Sequence, residues 1–276
     1  MQLRLSFGSE AFRFCVLGSG SSGNAVVVES GGRTLLIDAG FSCRELERRL
    51  GAVGVDPKST AGIILTHEHG DHVRGAARFS RRFEIPVYAT AGTLSGIRQP
   101  RFAPDPVVLR AGSAIEIGSF RLEPFTVSHD AREPIGLVVE SEGGGRLGLA
   151  ADLGIRSREA WSRLLDLDAL ILEANHDLEM LMKGPYPWPL KQRIAGDRGH
   201  LSNADAAAGI EELVNDRLEW VVLYHLSKVN NRQAIARDEV GETLARVGAR
   251  ARLRVSSQAK PSPWMDVGAR VESLAS

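Results

Sequence analysis

The string Thr66-His67-Glu68-His69-Gly70-Asp71-His72 gathers three imidazoles and two carboxylates between positions 67 and 72. These are more nitrogen and oxygen donors than one tetrahedral metal can use, so the set suits a pair of metals. The string follows the apolar run GIILT (62–66), which reads as a short buried strand, and Gly70 is expected to relax the turn. Other ligand-type residues also close apolar runs: His129 ends PFTVSH, Asp152 ends GLAAD and His225 ends VVLYH. A site at one edge of a sheet sandwich needs donors delivered in this way, from the ends of several strands. Two metals about 3.5–4 Å apart can share a water, lower its pKa and stabilise the oxygens of a displacement. The expected chemistry is hydrolysis with a bridging hydroxide as nucleophile, and no serine or cysteine is required.

Two tempting motifs lose their context. HExxH would need a histidine where Asp71 stands, so the helical zinc-protease pattern fails. Gly18-Ser19-Gly20-Ser21-Ser22-Gly23 satisfies GxGxxG by letter, yet NAVVVES after it reads as a strand, whereas a dinucleotide fingerprint opens a helix.

The elements that must hold these residues alternate without a strict βαβ rhythm. FRFCVLG (12–18), NAVVVES (24–30) and RTLLIDAG (33–40) read as glycine-punctuated strands paired antiparallel. Ser42 to Leu50 is an amphipathic helix. Further strands are FRLEPFTVSH, PIGLVVES, RLGLAAD, DALILEAN and EWVVLYHL. Helices are expected over 157–165 and 203–213, the second capped by Ser202 or Asn203. Pro185, Pro187 and Pro189 mark 181–200 as a long loop. The pattern predicts a mixed sheet sandwich with helices on its outer faces.

The chain has 276 residues with 34 basic and 34 acidic side chains, so balanced charge gives no argument for a polyanionic partner and local residues must supply one. Ordinary apolar content, at 43%, excludes a disordered chain. Cys15 and Cys43 lack CxxC spacing, so a disulfide scaffold is excluded and a reducing cytoplasm is the expected compartment. Glu10 and Arg13 interrupt the start before signal-peptide length, and no run approaches the ~18 apolar residues of a membrane span.

HxHxDH after a strand, followed by a lone His, a lone Asp and a lone His at strand ends, resembles the metallo-β-lactamase superfamily. VLGSGSSGNAVVV, LLIDAGFS, ILTHEHGDHVRG, ILEANHD, DRGHLSN and HLSKVNN resemble its YycJ/WalJ branch of 5′-to-3′ DNA exonucleases. The resemblance implies an α+β fold, a four-layer αββα sandwich, as a single domain over 12–250. Residues 1–11 form an N-terminal extension and 251–276 a C-terminal segment, neither with an assigned role. It also implies that His67, His69 and His129 hold one metal, that Asp71, His72 and His225 hold the other, and that Asp152 bridges them. Asp38 and Thr66 would support the ligand loop, since a metal-bound imidazole usually donates its other N–H to an oxygen. Zinc or manganese is expected, with iron also compatible with this donor set.

The metals do not name the substrate. Gly199-His200-Leu201-Ser202-Asn203 sets a histidine and small polar groups at an expected helix start, where exposed N–H groups favour phosphate. Lys183, Lys191, Arg193 and Arg198 precede it against Asp197, a local excess of positive charge suited to a nucleic acid, DNA by the resemblance. Gly199, His200, Ser202 and Asn203 are therefore expected at the phosphate, and the branch resemblance adds Asn175, His176 and Lys228. Asp71, Asp152 and His200 would carry the catalysis. The alternative is a thioesterase or lactonase acting on a small molecule, which would share all seven ligands and differ in its pocket.

Overall fold

The computed structural model describes residues 11–98 and 101–268. Phe14 and Val16 alternate with Cys15 and Leu17 along the first strand, so one strand feeds two apolar layers. This double-sided burial recurs through two seven-stranded sheets. In the first, β1 (Arg13–Gly18), β2 (Ala25–Ser30) and β3 (Arg33–Ile37) are antiparallel, as the sequence predicts. From β3 the sheet turns parallel through β4 (Thr60–Ile64), β5 (Val87–Thr90) and β6 (Val107–Leu109).

The second sheet mirrors that plan. Strands β7 (Ile115–Ile117), β8 (Phe120–Thr126), β9 (Ile135–Ser141) and β10 (Arg146–Ala150) are antiparallel. Strands β11 (Ala169–Glu173), β12 (Trp220–Tyr224) and β13 (Arg252–Val255) then follow β10 in parallel. Strand β14 (Met265–Asp266) returns to pair with β1. The pairings of 252–255 and 265–266 carry the fold past the boundary drawn at 250, giving both sheets an edge strand from the segment without an assigned role. Of the expected N-terminal extension, residues 1–10 lie outside the described residues.

Between the sheets lies a core that includes Phe14, Val28, Ile37, Leu137, Leu149, Ile171 and Tyr224. On the outer face of the first sheet pack α1 (Cys43–Ala52), α2 (Gly70–Val73), α3 (Ala76–Phe83) and α4 (Ala91–Gly96), with Leu46, Leu50 and Phe79 inward. Leu46 and Leu50, four apart, are the amphipathic stripe visible in the sequence; burying each contributes about 1.5–3 kcal/mol. On the second sheet's outer face α5 (Arg158–Arg163), α8 (Asn203–Leu213) and α9 (Gln233–Arg246) bury Trp161, Ile210 and Val240. The four αββα layers are thus formed, with Ser202 as the cap of α8.

The expected loop over 181–200 is corrected. Helices α6 (Leu178–Lys183) and α7 (Trp188–Ile194) occupy much of it. Pro187 caps α7 and Pro189 lies in its first turn, where the missing proline N–H has no intrahelical partner to lose. Among the described residues no helix is long and apolar enough to cross a membrane, and both cysteines are free and buried.

Candidate metal centre

The ends of the parallel strands converge at one edge of the sandwich, the place where open α/β sheets take ligands. Asp38 follows β3 and His225 follows β12 directly; Asp152 and His129 stand two and three residues beyond β10 and β8. Asp38, Asp152 and His225 adopt left-handed backbone (φ 59°, 53° and 55°). Such conformations cost about 1–2 kcal/mol each in non-glycine residues and cluster at functional sites. Hydrogen bonds from the Asp38 N–H to the Ile64 carbonyl and from the His225 N–H to Ser19 Oγ, both 2.8 Å, hold two of them.

His69 caps the short helix α2, whose first turn carries Asp71 and His72. Gly70 is not what relaxes this turn: its φ is not positive and a Cβ there would meet nothing within 4 Å. Gly40 is the glycine the loop depends on, because a Cβ there would stand 1.6 Å from the Asp71 carbonyl oxygen. Ligand atoms of His67, His69 and His129 lie within 4.8 Å of one another, as do those of Asp71, His72 and His225. His67, His72 and Asp152 form a third such set, so Asp152 sits where the first two meet.

Four buried imidazoles, those of His67, His72, His129 and His225, are each oriented by a hydrogen bond from Nδ1. His72 Nδ1 donates to Asp38 Oδ2 at 2.7 Å, and His129 Nδ1 to the Gly199 carbonyl at 3.0 Å. Thr66 Oγ1 donates to Asp38 and accepts from His67 Nδ1 at 3.1 Å, which puts Asp38 and Thr66 behind two ligands at once. The tautomer so fixed turns the Nε2 lone pair of each ring inward, the arrangement that second-sphere oxygens impose on metal-bound histidines. Asn24 closes one side, donating to Asp71 Oδ2 at 3.1 Å with His72 Nε2 3.0 Å away.

The electrostatics favour cations. Burial, reinforced by the neighbouring imidazoles, pushes the His67 pKa well below its ordinary value and keeps the ring neutral, as a ligand must be. At His72 burial opposes protonation but is outweighed by Asp38 and Asp152, which raise the pKa to about 10. At His225 Asp152, Asp71 and Glu173 likewise outweigh burial. Burial also opposes ionisation of Asp152, and the surrounding histidines overcome it, holding the carboxyl well below the usual range. Positive charge is therefore stabilised wherever Asp152 faces. His67 Nε2 and Asp152 Oδ2 are buried without a hydrogen-bond partner, although Asp152 Oδ2 lies 3.1 Å from His72 Nε2 in poor alignment. Unmatched buried polar atoms cost about 1–3 kcal/mol each. A divalent cation would satisfy both, so the donor set fits metal.

The family description "Beta-lactamase superfamily domain" matches residues 33–226. The chain belongs to the metallo-β-lactamase superfamily. Within it, the chain is 34% identical over 238 residues to exodeoxyribonuclease YycJ of Bacillus anthracis, covering 85% of this chain and 90% of that protein. It is 33% identical over 230 residues to exodeoxyribonuclease WalJ of Streptococcus pneumoniae, covering 82% and 85%. The metallo-β-lactamase fold protein YhfI of Bacillus subtilis superposes with a TM-score of 0.70 over 93% of this chain and 99% of its own, at 16% identity. This superfamily member is accordingly a metal-dependent hydrolase.

The residues expected at a phosphate divide into groups. His200 joins the cluster, its Nδ1 3.5 Å from Asp152 Oδ1, and Lys228 is exposed at the rim of an adjoining cleft. Ser202 is engaged by its own helix, accepting from the Asp205 N–H, and buried Asn203 pairs with Asn231. Gly199 is buried, and a Cβ there would meet the Arg193 and Ile194 carbonyls at 2.2 Å, so its part is to bring its own carbonyl to His129. Asn175 holds the His225 carbonyl at 2.8 Å, and His176 is buried with Nδ1 unpartnered.

Glu173 is absent from the expectations. Wholly buried, it accepts from His200 Nδ1 at 2.7 Å and from His225 Nδ1 at 3.0 Å through Oε1. Its Oε2 accepts from the Leu153 and Leu201 N–H groups at 3.0 and 3.2 Å. The signal available was a carboxylate closing the apolar run ALILE, since such a residue at a strand end is never buried cheaply without partners.

Proposed function

We propose that the chain is a dinuclear-metal phosphodiesterase that trims DNA from its 5′ end. The observation that carries this reading is the meeting of two histidine-rich donor sets at Asp152. The exodeoxyribonuclease relatives, aligned over most of their length, support the nucleic-acid substrate. His67, His69 and His129 would hold one cation, Asp71, His72 and His225 the other, and Asp152 would bridge them, with zinc or manganese suiting the mixed nitrogen and oxygen donors. When bound, a pair of divalent cations acidifies water and stabilises the oxygens of an in-line displacement.

The chain's own residues supply the rest. Asp38 and Thr66 keep His67 and His72 in the ligating tautomer. Glu173 does the same for His225. Burial disfavours the His200 cation, but Glu173 outweighs it and raises the pKa, a direction that favours the protonated ring as a donor to a phosphoryl or leaving oxygen. His69, a third exposed, lies at the open side where a strand can enter.

The test is hydrolysis of end-labelled single-stranded and duplex DNA, beside bis-(p-nitrophenyl) phosphate and an acyl thioester, with zinc and manganese compared. The expected result is shortening of DNA from the 5′ end, cleavage of the small diester, and loss of both on chelation. Turnover of the thioester alone would replace this reading with the small-molecule hydrolase.

A further inference from the structure

Beside the metal centre lies a second feature that the proposed chemistry does not use, a cleft of about 200 Å³ walled by the Gly18–Gly23 loop on one side and by Ser227 and Lys228 on the other. Its lining is hydroxyl-rich, with Ser19, Ser21, Ser22, Ser227 and Ser256, and among the described residues it includes one cation and no carboxylate. Ser256 is 5% exposed and its Oγ has no hydrogen-bond partner among the described residues, so a donor is held ready in the floor. Lys228, at the rim, has no ion-pair partner among the described residues.

The cleft is built rather than incidental. Gln258 grips the end of the loop with both atoms of its amide, accepting the Ser22 N–H and donating to the Gly23 carbonyl, each at 2.8 Å. Gly20 has φ +141°, and a Cβ there would stand 2.9 Å from Gln258 Oε1, so the loop is closed tightly on its clamp. The same wall touches the metal ligands. Ser19 Oγ accepts the His225 N–H at 2.8 Å and donates to Asn24 Oδ1 at 2.9 Å, and Asn24 in turn donates to Asp71 Oδ2.

We infer that this cleft receives a backbone phosphate of the substrate strand flanking the bond to be cut, with Lys228 as its cation and the hydroxyls of Ser21, Ser22, Ser227 and Ser256 as donors. The inference rests on the phosphodiesterase reading above. Hydroxyl donors with a single ammonium and no competing carboxylate match a singly charged phosphodiester, and phosphate contacts of this kind set a strand's register without reading its sequence. The rigid connection through Ser19 and Asn24 would then fix the distance from the flanking phosphate to the reacting one.

The experiment is a set of oligonucleotides, each with one phosphate replaced by a neutral methylphosphonate, cut by the wild-type protein and by Lys228→Ala and Lys228→Arg. Lys228 is exposed, so its replacement leaves the fold intact. For the wild type, neutralising one position near the cut should raise KM about 10-fold, the worth of one charge-assisted contact. For Lys228→Ala the unmodified strand should already show that rise, with the same methylphosphonate adding less than about 2-fold, because the two changes remove one interaction. Lys228→Arg should behave as the wild type. If the two effects multiply at every position while the wild type cuts normally, the cleft assignment is overturned alone. Should inorganic phosphate inhibit through Lys228 with no methylphosphonate effect, the cleft takes a free anion and the strand assignment is again overturned. A wild type that cuts no strand at all removes both readings.

Discussion

Replacing Glu173 by glutamine keeps the shape of the buried carboxylate and removes its charge. Four donors converge on it, two imidazole Nδ1–H groups on Oε1 and two backbone N–H groups on Oε2. A glutamine has one oxygen for both pairs. If the oxygen serves the backbone, its NH2 faces two imidazole donors, and relief requires His200 to give up its Nδ1 proton and His225 to move its proton to Nε2. His225 would then lose the lone pair it presents beside Asp71 Oδ2, 3.2 Å away. If the amide flips, donor faces donor at Leu153 and Leu201 instead. Downgrading two charge-assisted bonds to neutral or unmatched ones costs about 1 kcal/mol each. The sum of about 2 kcal/mol corresponds to roughly a 30-fold loss, within the ~10–100-fold range for residues that orient metal ligands. The assay is kcat/KM on bis-(p-nitrophenyl) phosphate together with metal content per chain in the purified variant. A Glu173→Gln protein within about threefold of wild type in both, against the 10–100-fold expectation, would show that the carboxylate does not set these tautomers.

Asp152→Ala should lose metal loading and hydrolysis together, whereas His200→Ala should keep its metal and lose only rate; equal metal loss in the two variants would refute the separate role given to His200. Gly40→Ala should displace the Asp71 loop, since its Cβ would enter the Asp71 carbonyl at 1.6 Å, and backbone there cannot yield as a side-chain tip can; metal affinity unchanged from wild type would count against that packing. Hydrogen bonding to Arg48, joined by Arg49, lowers the Glu45 pKa from 4.5 to about 2. A depressed carboxylate stabilises the fold above its unfolded value and loses that contribution as pH falls toward the folded one. The melting-temperature gap between wild type and Glu45→Gln should therefore be full near neutrality and close between about pH 4.5 and 2; a gap independent of pH would refute the ion pair's contribution.

What the sequence made legible was whatever is encoded within a few residues. The run of donors at 67–72 and the apolar strands ending in His129, Asp152 and His225 announce themselves, because each ligand closes the apolar run that delivers it. Long-range partners were harder to see. Glu173 reads as one more polar residue within a strand, and only the pairing of β10, β11 and β12 brings Leu153, His200 and His225 around it. Helix α7 was hidden for the opposite reason: three prolines dominate any local reading, while their cost depends on whether they fall in a helix's first turn or its interior. The small residues show the same limit from another side. Gly70 sits in the motif and does little for it, whereas Gly40 and Gly199, outside the ligand string, are fixed by backbone approaching from Asp71 and from Arg193. Donors can be read from composition and spacing. The close contacts that turn their lone pairs toward one point arise only when segments distant in sequence meet, and a variant there tests the centre as directly as one in a ligand.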